Sequence, residues 1–160
     1  MKAVNAAVAA MAARLEREGR FGATRVCLQH GSVTVYAHCL RVACKACALA
    51  RALHLRVDEN ALIRGALLHD YFLYDWHEKD ASHWLHGFTH PATALRNAGE
   101  DWSLSPIEKE IISKHMFPLT PLPPTCREAW LVCLADKLCA AGETCGGLRE
   151  KLPVLRLKHA

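Results

Sequence analysis

The stretch 61–76, ALIRGALLHDYFLYDW, places the tightest constraint on the chain. Its apolar residues call for burial, yet they carry His69 and Asp70 side by side, with Asp75 and His77 just downstream. Burying an imidazole and a carboxylate is costly unless something satisfies them. A divalent cation does so, because both groups are among its usual donors. Four other apolar stretches each bring one more residue of this kind: His38, His90, His115 and Asp136. The pattern predicts a fold arranged around a metal cluster at His69-Asp70.

The remainder of the chain reads as helix and connection, with six or seven helices and no strand. A first helix over 3–18 ends at Gly19. Residues 19–30 turn through Gly19 and Gly22, with a short helical turn near Val26, Cys27 and Leu28. Ser32 is positioned to cap a long helix reaching about Leu55. That helix is apolar nearly all round, so it belongs at the centre. Asp58 caps the next helix, Glu59 to Leu68, which delivers His69-Asp70 at its end. The polar segment 77–89 reads as a loop bordering the site. His90-Pro91 opens a helix that Gly99 stops. Ser105-Pro106-Ile107-Glu108 is a capping-box start for a helix running to Lys114-His115. The Pro-rich segment 118–125 forms an extended connection. Residues 125–141 are the last large helix, and a short helix and basic tail follow from Thr144. The expectation is one all-α domain over 1–160. Its metal-site core spans about 30–140, and the 3–18 helix packs against it.

Composition narrows the function. Apolar residues at 51% and charged residues at 22% exclude a disordered chain. The formal charge of +4 is carried by scattered basic residues, which gives no nucleic-acid stripe. No apolar run reaches the roughly 18 to 20 residues of a membrane span. The N-terminal MKAVNAAVAAMAARLEREGR reads as an amphipathic helix rather than a secretory leader, which predicts a cytoplasmic protein. The eight cysteines are then expected to be reduced, and none is expected to be a ligand. Cys44 and Cys47 form a CxxC, but it lies within the helical VACKACALA.

The candidate ligands His38, His69, Asp70, His90, His115 and Asp136 are separated by 31, 1, 20, 25 and 21 residues. Most gaps equal one helix plus one connection, so each ligand can come from a different helix of a bundle. His38, His69, Asp70 and Asp136 suffice for one metal. His90 and His115, with Asp70 as a bridge, supply a second. Two ions about 3.5–4 Å apart activate water to hydroxide and polarise a phosphoryl oxygen, so no nucleophilic side chain is needed. None stands out: GxSxG and the phosphate-binding GxxxxGK[ST] are both absent. His/Asp ligation suits Fe, Mn, Zn, Co or Ni.

The ordered set H…HD…H…H…D resembles the HD-domain superfamily of metal-dependent phosphohydrolases. The matching residues are His38 in VYAHCLRVA, His69-Asp70 in GALLHDYF and Asp136 in CLADKLCA. His90 in GFTHPATAL and His115 in IISKHMFPL resemble the additional histidines of the two-metal subgroup. The likeness spans roughly residues 30 to 140. It implies an all-α HD-type bundle and hydrolysis of a phosphate ester. The cyclic-dinucleotide phosphodiesterase subgroup, HD-GYP, has a Lys soon after the HD pair, a GYP-type motif and paired histidines. This chain has HDYFLYDWHEK, GFTHP and His115-Met116 in those places. Cyclic-di-GMP is therefore not the implied substrate, and the chain looks closer to small stand-alone bacterial HD proteins.

The expected activity is hydrolysis of a nucleotide or other small phosphate ester by metal-activated hydroxide. Asp70 bridges or orients the metals, and Lys137 or a loop His offsets phosphate charge. His30, His86 and Lys114 are candidates for contacting the substrate. The alternative is a catalytically silent module of the same type that binds metal or nucleotide and acts through a partner.

Overall fold

A computed structural model of the chain describes residues 2–30, 33–74 and 86–151, with backbone alone at His30, His86 and residues 145–151. Helix α1 (Lys2–Glu18) buries Val4, Val8, Ala12 and Leu15 on one stripe, the spacing of an amphipathic helix. A 3-10 turn over Phe21–Arg25 follows, upstream of the turn expected near Val26. Two short antiparallel strands come next, β1 (Leu28–His30) and β2 (Val33–Thr34), pairing Leu28 with Thr34 and His30 with Val33. They correct the strand-free reading of this segment. They also move the helix start: Thr34 rather than Ser32 is the cap, its hydroxyl accepting from the Ala37 N–H.

Helix α2 (Val35–Ala52) is the central element, as its all-round apolar pattern predicts, and packs against α1, α3 and α6. It ends three residues before the expected Leu55. His54 takes a left-handed conformation, φ 52°. Its N–H bonds the Arg51 carbonyl, and the Leu55 N–H bonds the Ala50 carbonyl. Glycine usually holds this kind of helix stop. A histidine in its place carries no stop signal in the sequence.

Helix α3 (Glu59–Leu68) begins at Asp58, whose carboxylate accepts from the Ala61 N–H, as expected. Helix α4 (His86–Asp101) starts four residues before His90 and runs through Gly99. A Cβ at Gly99 would meet nothing, so that glycine neither serves a close contact nor ends the helix. Helix α5 (Pro106–Lys114) has the capping box read from Ser105 and Glu108. The segment 118–125 is non-helical, and the chain then enters α6 (Arg127–Lys151). This is one helix where two were expected. Glu143, past the predicted break, is held by His38 and Arg41 of α2, which ties the second half of α6 to the bundle.

The core lies where α2, α3, α5 and α6 meet, with Val42, Ala43, Leu62, Ala66, Ile111, Ile112, Val132 and Ala135 buried. Helices α3 and α5 approach so closely that a Cβ on Gly65 would lie 2.6 Å from Ile111 Cδ1. Only glycine permits that approach. Seven cysteines are free thiols, and no disulfide occurs among the described residues. No helix among them is long and apolar enough to cross a membrane.

Candidate metal centre

The six predicted ligands meet at the centre of the bundle. His38 comes from α2, His69 and Asp70 from the end of α3, His90 from α4, His115 from the end of α5 and Asp136 from α6. His38, His69, Asp70 and His115 are each 1% exposed or less. The imidazoles converge, with ring centroids 5.5 Å apart for His38–His69, 4.8 Å for His69–His115 and 4.9 Å for His90–His115.

The two oxygens of Asp70 face different partners. Oδ2 lies 3.2 Å from His69 Nε2 and 3.7 Å from His38 Nε2. Oδ1 lies 3.1 Å from His90 Nε2 and 3.4 Å from His115 Nε2. Asp136 Oδ1 joins the first side, 3.0 Å from His38 Nε2 and 3.8 Å from His69 Nε2. Two triads have the spacing to hold an ion, His38–His69–Asp136 and His69–Asp70–His115. His69 is in both, so the division of ligands is less clean than the expected four plus two.

The local structure aims these rings. His69 and His115 occupy equivalent places, each just past a helix C-terminus. Each donates its Nδ1–H to a carbonyl of its own last turn: Ala66, 2.7 Å, and Ile112, 2.8 Å. These bonds satisfy carbonyls that a helix end leaves open. They also fix the tautomer and turn Nε2 toward the centre. His38 Nδ1 is held likewise by Glu143 Oε2 at 3.0 Å. Beyond Asp70, Leu73 has φ 60°, and Asn97 donates to the Tyr71 and Phe72 carbonyls. The turn that presents Asp70 is thereby pinned to α4.

The charges show what the donor set favours. Burial opposes ionisation of Asp70, but His69, His115 and His90 outweigh it and hold its carboxyl well below the usual range. Asp136 is lowered too, by His38 and His69 against the same penalty. Burial disfavours charge on His38, yet Asp136 and Glu143 raise it to about 10. His69 rises well above its ordinary value, burial being overcome chiefly by Asp70. Two buried carboxylates thus favour positive charge beside them. His115 is the exception: burial pushes it down, so it is neutral. With its proton on Nδ1, its Nε2 lies 2.8 Å from His90 Nε2 and 3.4 Å from the ionised Asp70 Oδ1. His69 Nε2 and Asp70 Oδ1 are buried without a hydrogen-bond partner among the described residues. A buried carboxylate oxygen and an inward imidazole nitrogen left without a partner are unfavourable, and a divalent cation takes both as donors. The donor set therefore fits a metal.

Other predicted site residues lie elsewhere. The Lys137 ammonium does not point at Asp70 or the imidazoles; it donates to the His115 and Cys133 carbonyls at 2.9 and 3.3 Å. It ties α6 to the end of α5 behind His115. Lys114 lies 3.6 Å from Glu110 on its own helix. The side chains of His30 and His86 fall outside the described residues, as do positions 75–85 of the bordering loop. Two residues at the centre went unread in the sequence. Gln29 of β1 donates to Asp70 Oδ2 at 2.6 Å. Nothing in its surroundings in the sequence marks it. Glu143 lies seven residues after Asp136, two turns along one face of α6, and that spacing was a usable signal.

A helical bundle enclosing a His/Asp cluster of this kind is the architecture of an all-α metalloprotein. The HD domain family profile matches residues 35–141, well over half of the chain, and the chain belongs to that family. The HD domain places it in a superfamily of metal-dependent phosphohydrolases whose domains bind divalent metals. No curated protein and no solved structure matches the chain significantly.

Proposed function

We propose that the chain is a phosphohydrolase that uses two divalent metal ions to cleave a small phosphate ester. The observation that carries this reading is Asp70. It presents one oxygen to His38 and His69 and the other to His90 and His115, two of whose rings are tautomer-locked with Nε2 inward. His38, His69, Asp70 and Asp136 would hold one ion, and His90, His115 and the far oxygen of Asp70 the other. Bound there, divalent ions supply Lewis acidity for a phosphoryl oxygen and lower the pKa of water.

The chain's own residues do the rest. Asp70 keeps its charge between the two ligand groups, and the Gln29 amide donates to its Oδ2. Glu143 and the carbonyls of Ala66 and Ile112 keep the imidazoles directed inward. Lys137 is a positioning residue in this scheme, acting through the His115 backbone. A cavity of about 550 Å³ lies beside the centre, walled by Phe72, Tyr74, Thr89, Thr93 and Arg96. Phe72 packs edge-on against His90, with centroids 5.9 Å apart, which joins the cavity wall to the ligand set. Its size suits a small ligand. Its aromatic rings, hydroxyls and guanidinium suit the organic part of a phosphorylated compound, a nucleotide included.

The test is a screen of metal-reconstituted protein against phosphomonoesters, cyclic nucleotides, dinucleoside polyphosphates and nucleotides. Turnover of one class by wild type, absent in Asp70→Asn, is the expected result. Inactivity with every class and every metal would overturn the enzyme reading in favour of a binding module.

A further inference from the structure

The outer face of α6 has a composition at odds with exposure to water. Between Trp130 and Ala141 the only charged residues are Asp136 and Lys137. Asp136 points into the centre, and Lys137 is engaged with the His115 and Cys133 carbonyls. What remains outside is Trp130, Leu134 and Leu138, 46%, 47% and 48% exposed. A helix apolar on all sides is normally covered on all sides. Beside this stripe, Leu53 and Leu55 at the end of α2 are 57% and 37% exposed. With Phe117 and Trp130 they line an apolar groove of about 510 Å³.

We propose that this face is a homodimer interface, in which α6 packs antiparallel on α6 of a second copy about a two-fold axis at Leu134. Two observations select a second copy as the occupant. The first is the symmetry of the stripe. Outward positions 127, 130, 134, 138 and 141 are spaced three, four, four and three residues apart, so reversal about Leu134 maps the stripe onto itself. Trp130 then opposes Leu138, and Arg127 opposes the small Ala141, so no like charges meet. The face also carries both a bulky ring and a groove, the self-complementarity that a two-fold interface requires. The second is area. The exposed parts of Trp130, Leu134, Leu138, Leu53 and Leu55 amount to roughly 500 Å², over half of the ~800 Å² per partner that a standard interface buries. The inference is independent of the hydrolase reading, although it places the dimer contact on the helix that carries Asp136.

Sedimentation velocity of the full chain over a dilution series tests this. Wild type is expected at the mass of two 17.7 kDa chains, dissociating only on dilution. Leu134→Arg is expected at the mass of one chain with unchanged helical circular dichroism. Should that variant fail to fold, Leu138→Lys reads the same contact nearer the rim. Val26→Arg, at an 81% exposed apolar residue outside the stripe, is expected to leave the dimer intact. A wild type that stays monomeric at every concentration would overturn the proposal, since the face would then serve another occupant. So would a dimer that persists in folded Leu134→Arg and Leu138→Lys.

Discussion

Asp70 has the most exposed role of any residue in the centre. Its carboxylate is buried, ionised and shared between two sets of imidazoles. Asp70→Asn keeps the shape and removes the charge, which, with the two ions proposed above, would leave two cations facing each other with little between them to offset repulsion. Turnover should fall by at least ~10³-fold, the scale of losing a major electrostatic contribution in an active site. Elemental analysis should show metal loss while circular dichroism stays unchanged. Full metal content with near-normal hydrolysis would reduce Asp70 to an orienting role. In the two-ion proposal His115 would help hold the second ion, which has fewer ligands of its own than the first, so His115→Ala should release about one ion per chain with the fold intact. Unchanged stoichiometry would remove His115 from the centre. Glu143 touches no ion in this scheme but fixes the His38 ring. Glu143→Ala should weaken metal binding ~10–100-fold, the usual effect of losing such a partner. Competition with a chromophoric chelator reads that directly.

At the scale of elements, the geometry depends on how closely α3 and α5 run. They end in His69 and His115, each locked to its own helix terminus, so the distance between the helices sets the distance between those nitrogens. Gly65 sits against Ile111 where the two helices run close. Gly65→Ala would bring a Cβ within 2.6 Å of the Ile111 side chain, too close without movement. The expected cost is ~1–3 kcal/mol of stability, typical of overpacking a filled core. Metal affinity should fall with it, because the strain spreads the two helices. A variant with lower Tm but unchanged metal affinity would show that the centre tolerates such spreading.

For the molecule as a whole, the buried charges couple the metal-free fold to pH. Asp70 and Asp136 are held below their ordinary 3.8. Their stabilisation is complete above that value and is lost as pH falls through the folded-state values. His38 is raised from 6.5 to about 10. Its stabilisation is complete below 6.5 and is lost as pH rises toward about 10. The metal-free protein should therefore be most stable between about pH 5 and 6.5 and should weaken on both sides. Thermal melts of chelator-treated protein across that range check this, and a Tm that climbs steadily with pH would contradict it. A metal must displace the His38 proton, so affinity should rise with pH. The loaded protein should accordingly reach its maximum Tm at higher pH than the metal-free one.

Much of this was legible from residue types and spacing alone. A His-Asp pair set in an apolar run announces a buried charge that needs a partner. Ligands one helix apart imply convergence. The caps at Asp58 and at Ser105 with Glu108 place α3 and α5 because the bonds that form them span three residues. Such signals are local, and the sequence by itself determined what they report: the helical class, the candidate ligands and the two helices that end in His69 and His115. Tertiary structure decided the rest. The β1–β2 pairing, the left-handed His54 and the unbroken α6 override local preference through contacts made by distant parts of the chain. Gln29 reaches Asp70 across 41 residues, a separation at which residue pattern carries no register, whereas Glu143 could be placed on the face of α6 that carries Asp136 but not paired with His38, 105 residues away. Lys137 adjoins Asp136 in the chain, yet consecutive helical side chains diverge by about 100°. One therefore enters the centre while the other closes the end of α5.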